Sequence, residues 1–427
     1  MRVALVVHKF PPASVGGTEI YTLNLARELS RHGHEVFVFY RHDQAAAGQS
    51  ELNWEERKGF KACRVSRAFD VESASPFAQF LDTFFNRDVE RAFQRFLEEG
   101  QPDIVHFQHV MSLSYRLIAL AKRRDLPALL TLHDYWFICA NSQLIWPDAR
   151  VCQGKALGLN CACCALARIN SSLIHFIRPM VAPLLQVRDA LVRRAALEAD
   201  LLIAPSHFLI RQYTEAGFPA DRFVYLENGI DVERIRRYPR RPSADGRVRF
   251  TYLGSLAWQK GVHILVEAFR GVPAERAVLR VYGDPTVFPN YAAHLQQIAD
   301  TTNTFFEGLV PNEEVGQVLA ETDVVVVPSL WYENSPVVIQ EAFAAEVPVV
   351  ASRIGALTEK IRHGIDGLLC APGEARAWQE SLLSVVEHPE QIKGLRARLP
   401  EAMTMREHAT SLEDVYSSAE RGVTIVA

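Results

Sequence analysis

The sequence lacks any uninterrupted run of apolar residues long enough to cross a bilayer, and it lacks an excess of positive charge. The formal net charge of −4 gives no reason to expect nucleic acid as a partner. Without a long apolar run, we expect no membrane-spanning helix. No charged and then apolar leader precedes the first predicted strand. We therefore expect a cytoplasmic protein, with peripheral contact at the inner face of a membrane as the alternative.

Cysteine is also scarce, and its seven residues are unevenly placed. Cys63 and Cys370 stand alone near apolar residues, which predicts buried thiols. The other five lie between positions 139 and 164. In a cytosolic chain such crowding favours a metal site or redox chemistry over disulfides. A structural zinc ion, with a reduced cluster or a disulfide as alternatives, has four candidate ligands: Cys139, Cys152, Cys161 and Cys164.

Short apolar runs alternate with helical segments along the chain, and this pattern stops once and restarts. Such runs, separated by amphipathic helices, indicate a parallel sheet covered on both faces. The sequence therefore predicts an α/β protein of two Rossmann-like, doubly wound domains that face each other across a cleft. The predicted strands are 3–7, 36–40, 103–107, 128–132, 201–204 and 223–226, then 248–253, 278–282, 304–307, 323–327, 348–351 and 367–369.

The break between the two patterns lies at 234–246, which is rich in Arg and Pro and has no periodicity. We interpret it as a linker between a first domain at 1–238 and a second domain at 246–395. A C-terminal helix at about 400–427 is a candidate to pack back on the first domain.

The first domain is expected to carry an insertion at 139–198 that is Cys-rich, basic and amphipathic. One interpretation is a helix packed on its own domain, and the other is contact with a membrane that carries a lipid-linked acceptor. The arginines are Arg168, Arg178, Arg188, Arg193 and Arg194, and the apolar residues beside them are Ile174, Phe176, Ile177, Leu184 and Leu185.

Two acidic residues follow the predicted strand 323–327. Glu333 precedes a predicted helix and Glu341 lies inside it, with Ser335 as its expected cap and Pro336 as its expected first residue. A helix N-terminus suits a diphosphate or a sugar oxygen, and two carboxylates can accept hydrogen bonds from different hydroxyls of one ligand. The alternative is an acidic loop followed by a solvated helical glutamate.

This segment closely resembles the signature of family 4 glycosyltransferases, which have the GT-B fold and retain the anomeric configuration of the sugar. The resemblance extends along nearly the whole chain. It implies that Glu333 contacts the transferred sugar and that Glu341 contacts the ribose hydroxyls. It also implies that Asn334, Ser335 and Pro336 lie on the donor side.

Other positions resemble the same family. Gly16 and Gly17 follow the first strand, as in the family's glycine loop, where backbone approaches the donor phosphates. Lys260 is similar to the family's phosphate-binding lysine, although Ser255 stands where the family usually has an arginine. The resemblance implies a catalytic role for His133 beside the sugar, whereas His109 and Asp134 are candidates for the acceptor side.

No Asp-x-Asp pair occurs anywhere in the sequence. Glycosyltransferases of the other common fold use that pair to hold a divalent metal on the diphosphate. We therefore expect no cofactor for catalysis, with the phosphate charge handled by Lys260, glycine amides and a helix N-terminus.

The resemblance implies a retaining, hexosyltransferase-like enzyme of class EC 2.4. We expect a UDP- or GDP-sugar as donor and a glycan, a lipid-linked molecule or a small molecule as acceptor. Such an enzyme would serve the biosynthesis of cell-surface polysaccharide or another glycoconjugate. The alternatives are a nucleotide-sugar epimerase, which needs no acceptor, and a non-catalytic nucleotide-sugar binder.

Overall fold

The computed structural model describes residues 1–43, 51–67, 74–148, 150–168 and 174–421, which form two compact units. The first unit contains Met1–Pro147, Cys152–Gly229 and the C-terminal helix. The second unit contains Ile230–Thr404 and the short stretch Asp148–Val151.

The first unit is built on one eight-stranded sheet with the strand order β3-β4-β2-β1-β5-β6-β7-β8. All neighbouring strands are parallel except β3 and β4. Buried apolar residues on both faces of the central strands explain why helices cover both sides. The strands are β1 (Arg2–Val7), β2 (Glu35–Asp43), β3 (Glu51–Arg57), β4 (Phe60–Arg67), β5 (Ile104–Phe107), β6 (Ala128–Thr131), β7 (Leu201–Ala204) and β8 (Phe223–Tyr225).

The antiparallel hairpin of β3 and β4 was not predicted. Charged residues interrupt the apolar pattern of β3, whose side chains are only half-buried or exposed. The remaining signal was the turn Lys58-Gly59, in which Gly59 has a φ of +92° that favours glycine.

Among the residues that the structure describes, seven helices of the first unit precede its last one. Polar caps start several of them: Asn86 accepts hydrogen bonds from two backbone amides, and Ser206 accepts one. The helices are α1 (Gly17–Arg31), α2 (Pro76–Asp82), α3 (Arg87–Gly100), α4 (Leu117–Lys122), α5 (Leu159–Arg168), α6 (Ile174–Ala196) and α7 (His207–Glu215).

The second unit has a wholly parallel six-stranded sheet with the order β11-β10-β9-β12-β13-β14. Its strands are β9 (Val248–Leu253), β10 (Ala277–Tyr282), β11 (Thr304–Gly308), β12 (Val324–Val327), β13 (Val349–Ser352) and β14 (Gly367–Cys370). Its helices are α8 (Val232–Arg236), α9 (Val262–Phe269), α10 (Pro289–Ile298), α11 (Val315–Ala320), α12 (Val337–Ala344), α13 (Leu357–Lys360), α14 (Ala375–Glu387) and α15 (Glu390–Arg396).

Strand β12 shows how the core of the second unit is divided between two layers. Val324 and Val326 pack into a cluster with α9, α10 and α14, whereas Val325 and Val327 pack into a cluster with α8, α11 and α12. This follows from the two-residue period of a strand. The predicted α/β architecture, with two doubly wound parallel sheets, is confirmed.

The boundary between the units differs from the expected one. The sequence assigned residues up to 238 to the first domain and began the linker at 234. In the structure Val232 and Ile235 of α8 belong to the core of the second unit. A helix of five residues is too short to show a periodic pattern, so this segment looked irregular.

The last helix, α16 (Met405–Glu420), returns to the first unit, where it packs against α1. Two of its side chains make buried hydrogen bonds. His408 Nδ1 donates to the Glu227 carbonyl at 2.7 Å, so its Nε2 accepts from the Tyr21 hydroxyl at 2.6 Å. The Tyr416 hydroxyl is hydrogen-bonded to His106 Nδ1 at 2.8 Å. Burial lowers the pKa of His408 to about 4 and holds the pKa of His106 well below its usual value.

We predict that the first unit loses stability as the pH falls from 7 towards 4. His408 in the unfolded chain has a pKa of about 6.5 and takes up a proton in this range, whereas the folded form, with a pKa of about 4, does not. Its contribution to stability is therefore complete above pH ~6.5 and is lost at lower pH. Thermal unfolding should show His408→Gln less stable at pH 7 by about 1–2 kcal/mol, with a shallower loss towards pH 5. The exposed His388→Gln is the control, and equal pH slopes in His408→Gln and wild type would contradict the assignment.

Candidate active site

In both sheets the strand order reverses next to the first strand of the unit. The reversal lies between β1 and β5 in the first unit and between β9 and β12 in the second. Ligands of doubly wound sheets bind at the carboxyl ends of the strands at such a point. Most of the predicted site residues follow these strands.

In the second unit Gly261 brings the loop after β9 against the loop after β12. Its φ is +69°, and a side chain there would start 2.0 Å from the Pro328 carbonyl oxygen. Only glycine fits both conditions. A backbone hydrogen bond from Leu330 to Gln259 at 2.9 Å holds the two loops together. The turn Trp258–Lys260 therefore presents Lys260 to the residues that follow β12.

Glu333 is the centre of this group and is only 5% exposed. Its Oε1 accepts hydrogen bonds from Lys260 Nζ at 2.7 Å, Ser329 Oγ at 2.6 Å and Trp331 Nε1 at 2.9 Å. The Lys260 ammonium also lies over the Trp331 ring, 5.1 Å from its centre. Glu333 is therefore not part of an ordinary solvated acidic loop, because a buried carboxylate requires such partners.

Glu341 is likewise buried, and its partner is Arg234 of α8. The Arg234 guanidinium donates hydrogen bonds to Glu341 Oε1 and to the Asn312 carbonyl. Burial raises the pKa of the Glu341 carboxyl, and the positive charge of Arg234 opposes this effect. The sequence had placed Arg234 in the linker, so this side chain was missed.

The start of α12 differs from the expected one. The helix begins at Val337, Pro336 occupies the position before it, and no side chain caps it. Ser335 therefore does not serve as the predicted cap. The three residues directly before the helix are half-buried: Asn334, Ser335 and Pro336. Ser255, which replaces the family's arginine, is exposed, and its carbonyl accepts a hydrogen bond from Tyr252.

In the first unit His133 follows β6, and its Nε2 bonds Gln108 Oε1 at 2.9 Å. Burial, followed by the nearby His109, lowers the pKa of His133 to about 3, so the ring is neutral at neutral pH. Gln108 follows β5, and its Nε2 is buried without a partner among the described residues. The rule that functional residues follow strands could have found Gln108 as it found His133.

His109 and Asp134, predicted for the acceptor side, are hydrogen-bonded at 3.0 Å. His109 Nδ1 accepts from the Met111 amide, which leaves the proton on Nε2 facing the carboxylate. Asp134 Oδ1 accepts from the Trp136 amide at 2.8 Å. The pair is therefore fixed in one orientation.

The glycine loop after β1 is shaped by Glu19, which the sequence did not single out. A side chain on Gly16 would start 2.5 Å from Glu19 Oε2, whereas nothing lies within 4 Å of the corresponding position at Gly17. Glu19 accepts a hydrogen bond from Ser14 Oγ at 2.8 Å and lies 3.7 Å from His8 Nε2. The ring of His8 lies 4.7 Å from that of His109, which connects the glycine loop to the His109–Asp134 pair.

None of the seven cysteines, all of which lie in the described ranges, forms a disulfide, and Cys63 and Cys370 are buried as predicted. Burial raises the pKa of Cys161 to about 12 and also raises that of Cys152. Within the described ranges, no three His, Cys, Asp or Glu side chains are grouped in a way that could hold a metal ion. The zinc site of Cys139, Cys152, Cys161 and Cys164 stays a prediction that would require movement and deprotonation of these thiols.

Comparison with known proteins covers both units. The profile described as Glycosyltransferase Family 4 matches residues 15–234, and the profile described as Glycosyl transferases group 1 matches residues 247–388. The chain is 27% identical to a glycogen synthase of Mycobacterium tuberculosis over 440 residues, which cover 99% of this chain and 96% of that protein.

Solved structures share the fold over nearly the whole chain. A sucrose-phosphate synthase from Thermosynechococcus elongatus superposes with a TM-score of 0.71 at 19% identity, covering 97% of this chain and 98% of that chain. The Anabaena protein HepE in complex with UDP-glucose gives 0.61 at 18% identity, covering 97% and 99%. The two α/β units therefore have the GT-B fold.

The first of the two profiles alone matches more than half of the chain, and the second covers the part that contains Lys260, Glu333 and Glu341. The chain belongs to Glycosyltransferase Family 4 and is a glycosyltransferase.

Proposed function

We propose that the protein transfers a hexose from a UDP-sugar to an acceptor hydroxyl, with retention of configuration and without a catalytic metal. The observation that carries this proposal is the buried Glu333 carboxylate with Lys260 at 2.7 Å. This pair offers a cation that can bind a diphosphate and, at the same place, a carboxylate that can accept hydrogen bonds from sugar hydroxyls.

In this proposal Lys260 moves from Glu333 to the diphosphate of the sugar donor. A positive charge at the leaving group stabilises the charge that develops when the bond to the sugar breaks. Among the described residues no hydrogen bond reaches Glu333 Oε2, so this oxygen is available to a sugar hydroxyl. Oε1, released by the ammonium, retains Ser329 and Trp331.

Glu341 is proposed to bind the ribose hydroxyls. Arg234 holds one oxygen of its carboxylate, which fixes the orientation of the other. A positively charged neighbour also favours the ionised form that accepts hydrogen bonds. Arg234 is a positioning residue in this proposal and does not touch the ligand.

The first unit is proposed to supply the groups near the sugar carbon and the acceptor. Gln108 Nε2 and His8 Nδ1 are buried without partners among the described residues, which favours a polar ligand nearby. His133, with a pKa of about 3, is a poor base at neutral pH. It therefore acts as a hydrogen-bonding group, and we propose that the leaving diphosphate takes the acceptor's proton.

The UDP preference rests on HepE, which was solved with UDP-glucose, and GDP is the competing nucleotide. The names of the relatives point to different acceptors, since glycogen synthase and sucrose-phosphate synthase build different products. We propose a glycan or lipid-linked acceptor of cell-surface glycoconjugate synthesis, used in the cytoplasm at the inner face of a membrane. The epimerase and the non-catalytic binder are distinguished by incubation with sugar donor alone and with acceptor.

The first prediction from this proposal concerns the nucleotide. Glu341→Ala should weaken binding of UDP by roughly 10- to 100-fold, because hydrogen bonds to a charged group are worth about 1.5–3 kcal/mol. Arg234→Met should weaken it as well, because Glu341 then loses its orientation. Isothermal titration with UDP and GDP measures both. The surface variant Arg376→Met is the matched control, and unchanged affinity in Glu341→Ala would remove the ribose role.

The second prediction separates catalysis from binding. His133→Ala and Glu333→Ala should each lose about 2–4 kcal/mol of transition-state stabilisation, while UDP affinity does not fall. In Glu333→Ala the affinity should even rise, because Lys260 is released from its partner. Steady-state kinetics are compared with UDP titration, using the exposed His207→Ala and Glu313→Ala as controls. NMR of the product's anomeric proton tests retention. Wild-type turnover in either variant would remove that residue from the site.

The third prediction is that turnover survives chelation. The charge of the diphosphate is assigned to Lys260, so EDTA should leave kcat within about twofold. Circular dichroism and metal analysis in the same samples reveal whether zinc at the cysteine cluster supports folding. Activity that disappears with EDTA in a folded protein, and returns with Mn²⁺ or Mg²⁺, would contradict the proposal.

A further inference from the structure

Helix α6 leaves an apolar face in solvent. The exposed fractions are 82% for Phe176, 75% for Met180, 47% for Leu184 and 58% for Val187. These positions recur every three or four residues and therefore share one side of the helix. Pro179, Pro183 and Ala190 are also exposed on this side, and no charged residue interrupts the row. We call these seven residues the α6 stripe.

The opposite face of α6 packs against its own unit. Ala182 and Leu185 form a buried cluster with Ala162 of α5. The Arg188 guanidinium is buried over the Trp136 ring, 4.6 Å from its centre. The sequence left two interpretations open for the stretch that contains Leu185 and Arg188, and both residues pack on their own unit. The α6 stripe is therefore held outward by a fixed helix.

The surroundings of the α6 stripe are basic. Helix α6 itself contains four Arg and one Asp, a surplus of three positive charges in a chain whose net charge is −4. The one acidic residue, Asp189, accepts hydrogen bonds from Lys155 at 2.6 Å and from Arg188 at 2.9 Å. Arg193 and Arg194 are exposed at the end of the helix. This charge attracts an anionic surface.

The two prolines limit how deeply the α6 stripe can enter a membrane. Each removes a backbone N–H, so the carbonyl four residues earlier lacks its helical partner. Such carbonyls need water, which is present among headgroups and absent from the hydrocarbon core. No helix within the described part of the chain is long and apolar enough to span a bilayer.

From this combination we infer that the α6 stripe binds the surface of an anionic phospholipid membrane, with Phe176 and Met180 inserted among the headgroups. Apolar side chains on one face and cations beside them are what interfacial helices require. This inference concerns a surface of the first unit alone and does not depend on which sugar donor or acceptor is used.

The test is flotation of the full chain with vesicles of phosphatidylcholine and phosphatidylglycerol, compared with vesicles of phosphatidylcholine alone. Wild type should float with the anionic vesicles and much less with the neutral ones. The double variant Phe176→Ser/Met180→Ser should reduce the bound fraction by roughly tenfold or more, because two apolar side chains no longer leave water. Arg193→Glu/Arg194→Glu should make binding weaker and less dependent on anionic lipid.

The matched control is Val287→Ser/Leu309→Ser in the second unit, whose side chains are 61% and 68% exposed. This variant should float like wild type, and circular dichroism should show all variants folded. Absence of wild-type binding, or unchanged binding of Phe176→Ser/Met180→Ser, would overturn the inference. A further outcome would also overturn it: light scattering shows that wild type is a dimer and does not bind vesicles, and Phe176→Ser/Met180→Ser is a monomer. The α6 stripe would then join two copies of the chain. Sugar transfer to a soluble acceptor should be unchanged in Phe176→Ser/Met180→Ser. Failure of the membrane inference is therefore distinguishable from failure of the proposed function.

Discussion

The contact between the Lys260 ammonium and the Glu333 carboxylate, at 2.7 Å, is the interaction around which the candidate site residues of the second unit are arranged. It brings together groups from the loops after β9 and β12, and it exists only because Gly261 allows those loops to touch. Without a ligand, each charge neutralises the other in a half-buried place. A diphosphate would compete for the ammonium, and the carboxylate would then need new hydrogen-bond donors, which sugar hydroxyls provide. In the proposed function, recognition of the phosphate and of the sugar would be coupled through this exchange.

The pair of Arg234 and Glu341 has the opposite character. Both side chains are almost fully buried, and Arg234 is also bonded to the Asn312 carbonyl. Removal of one partner from such a pair leaves a buried charge without compensation, which typically costs about 3–5 kcal/mol. Arg234 therefore cannot leave easily, whereas the more exposed Lys260 can. In the proposed function, one ion pair gives the unit a fixed carboxylate and the other supplies the cation that moves to the diphosphate.

Much of this arrangement could be predicted from the sequence, and the failures have a common cause. The strand at 248–253 was predicted to the residue, because a buried parallel strand is a local apolar run. Lys260, Glu333 and Glu341 were found because they follow strands or match a family motif. Arg234 was missed because its burial depends on Glu341, more than a hundred positions later, and nothing local distinguishes it from a linker arginine. The exposed side of α6 was equally hidden, since both of its faces are apolar and only the packing against α5 and Trp136 decides which one is covered.

The same reasoning explains why the chemistry of His133 required the structure. Its position after β6 predicted its place, but its ionisation depends on neighbours from distant parts of the chain, including His109 after β5 and His408 on α16. These rings are crowded in a buried region where a second positive charge would be costly. A neutral imidazole whose Nε2–H points at Gln108 Oε1 has its Nδ1 lone pair left for a hydroxyl. It can orient that hydroxyl but cannot hold its proton at neutral pH. The low pKa of His133 therefore supports the proposal above, in which the leaving diphosphate and not the imidazole takes the acceptor's proton.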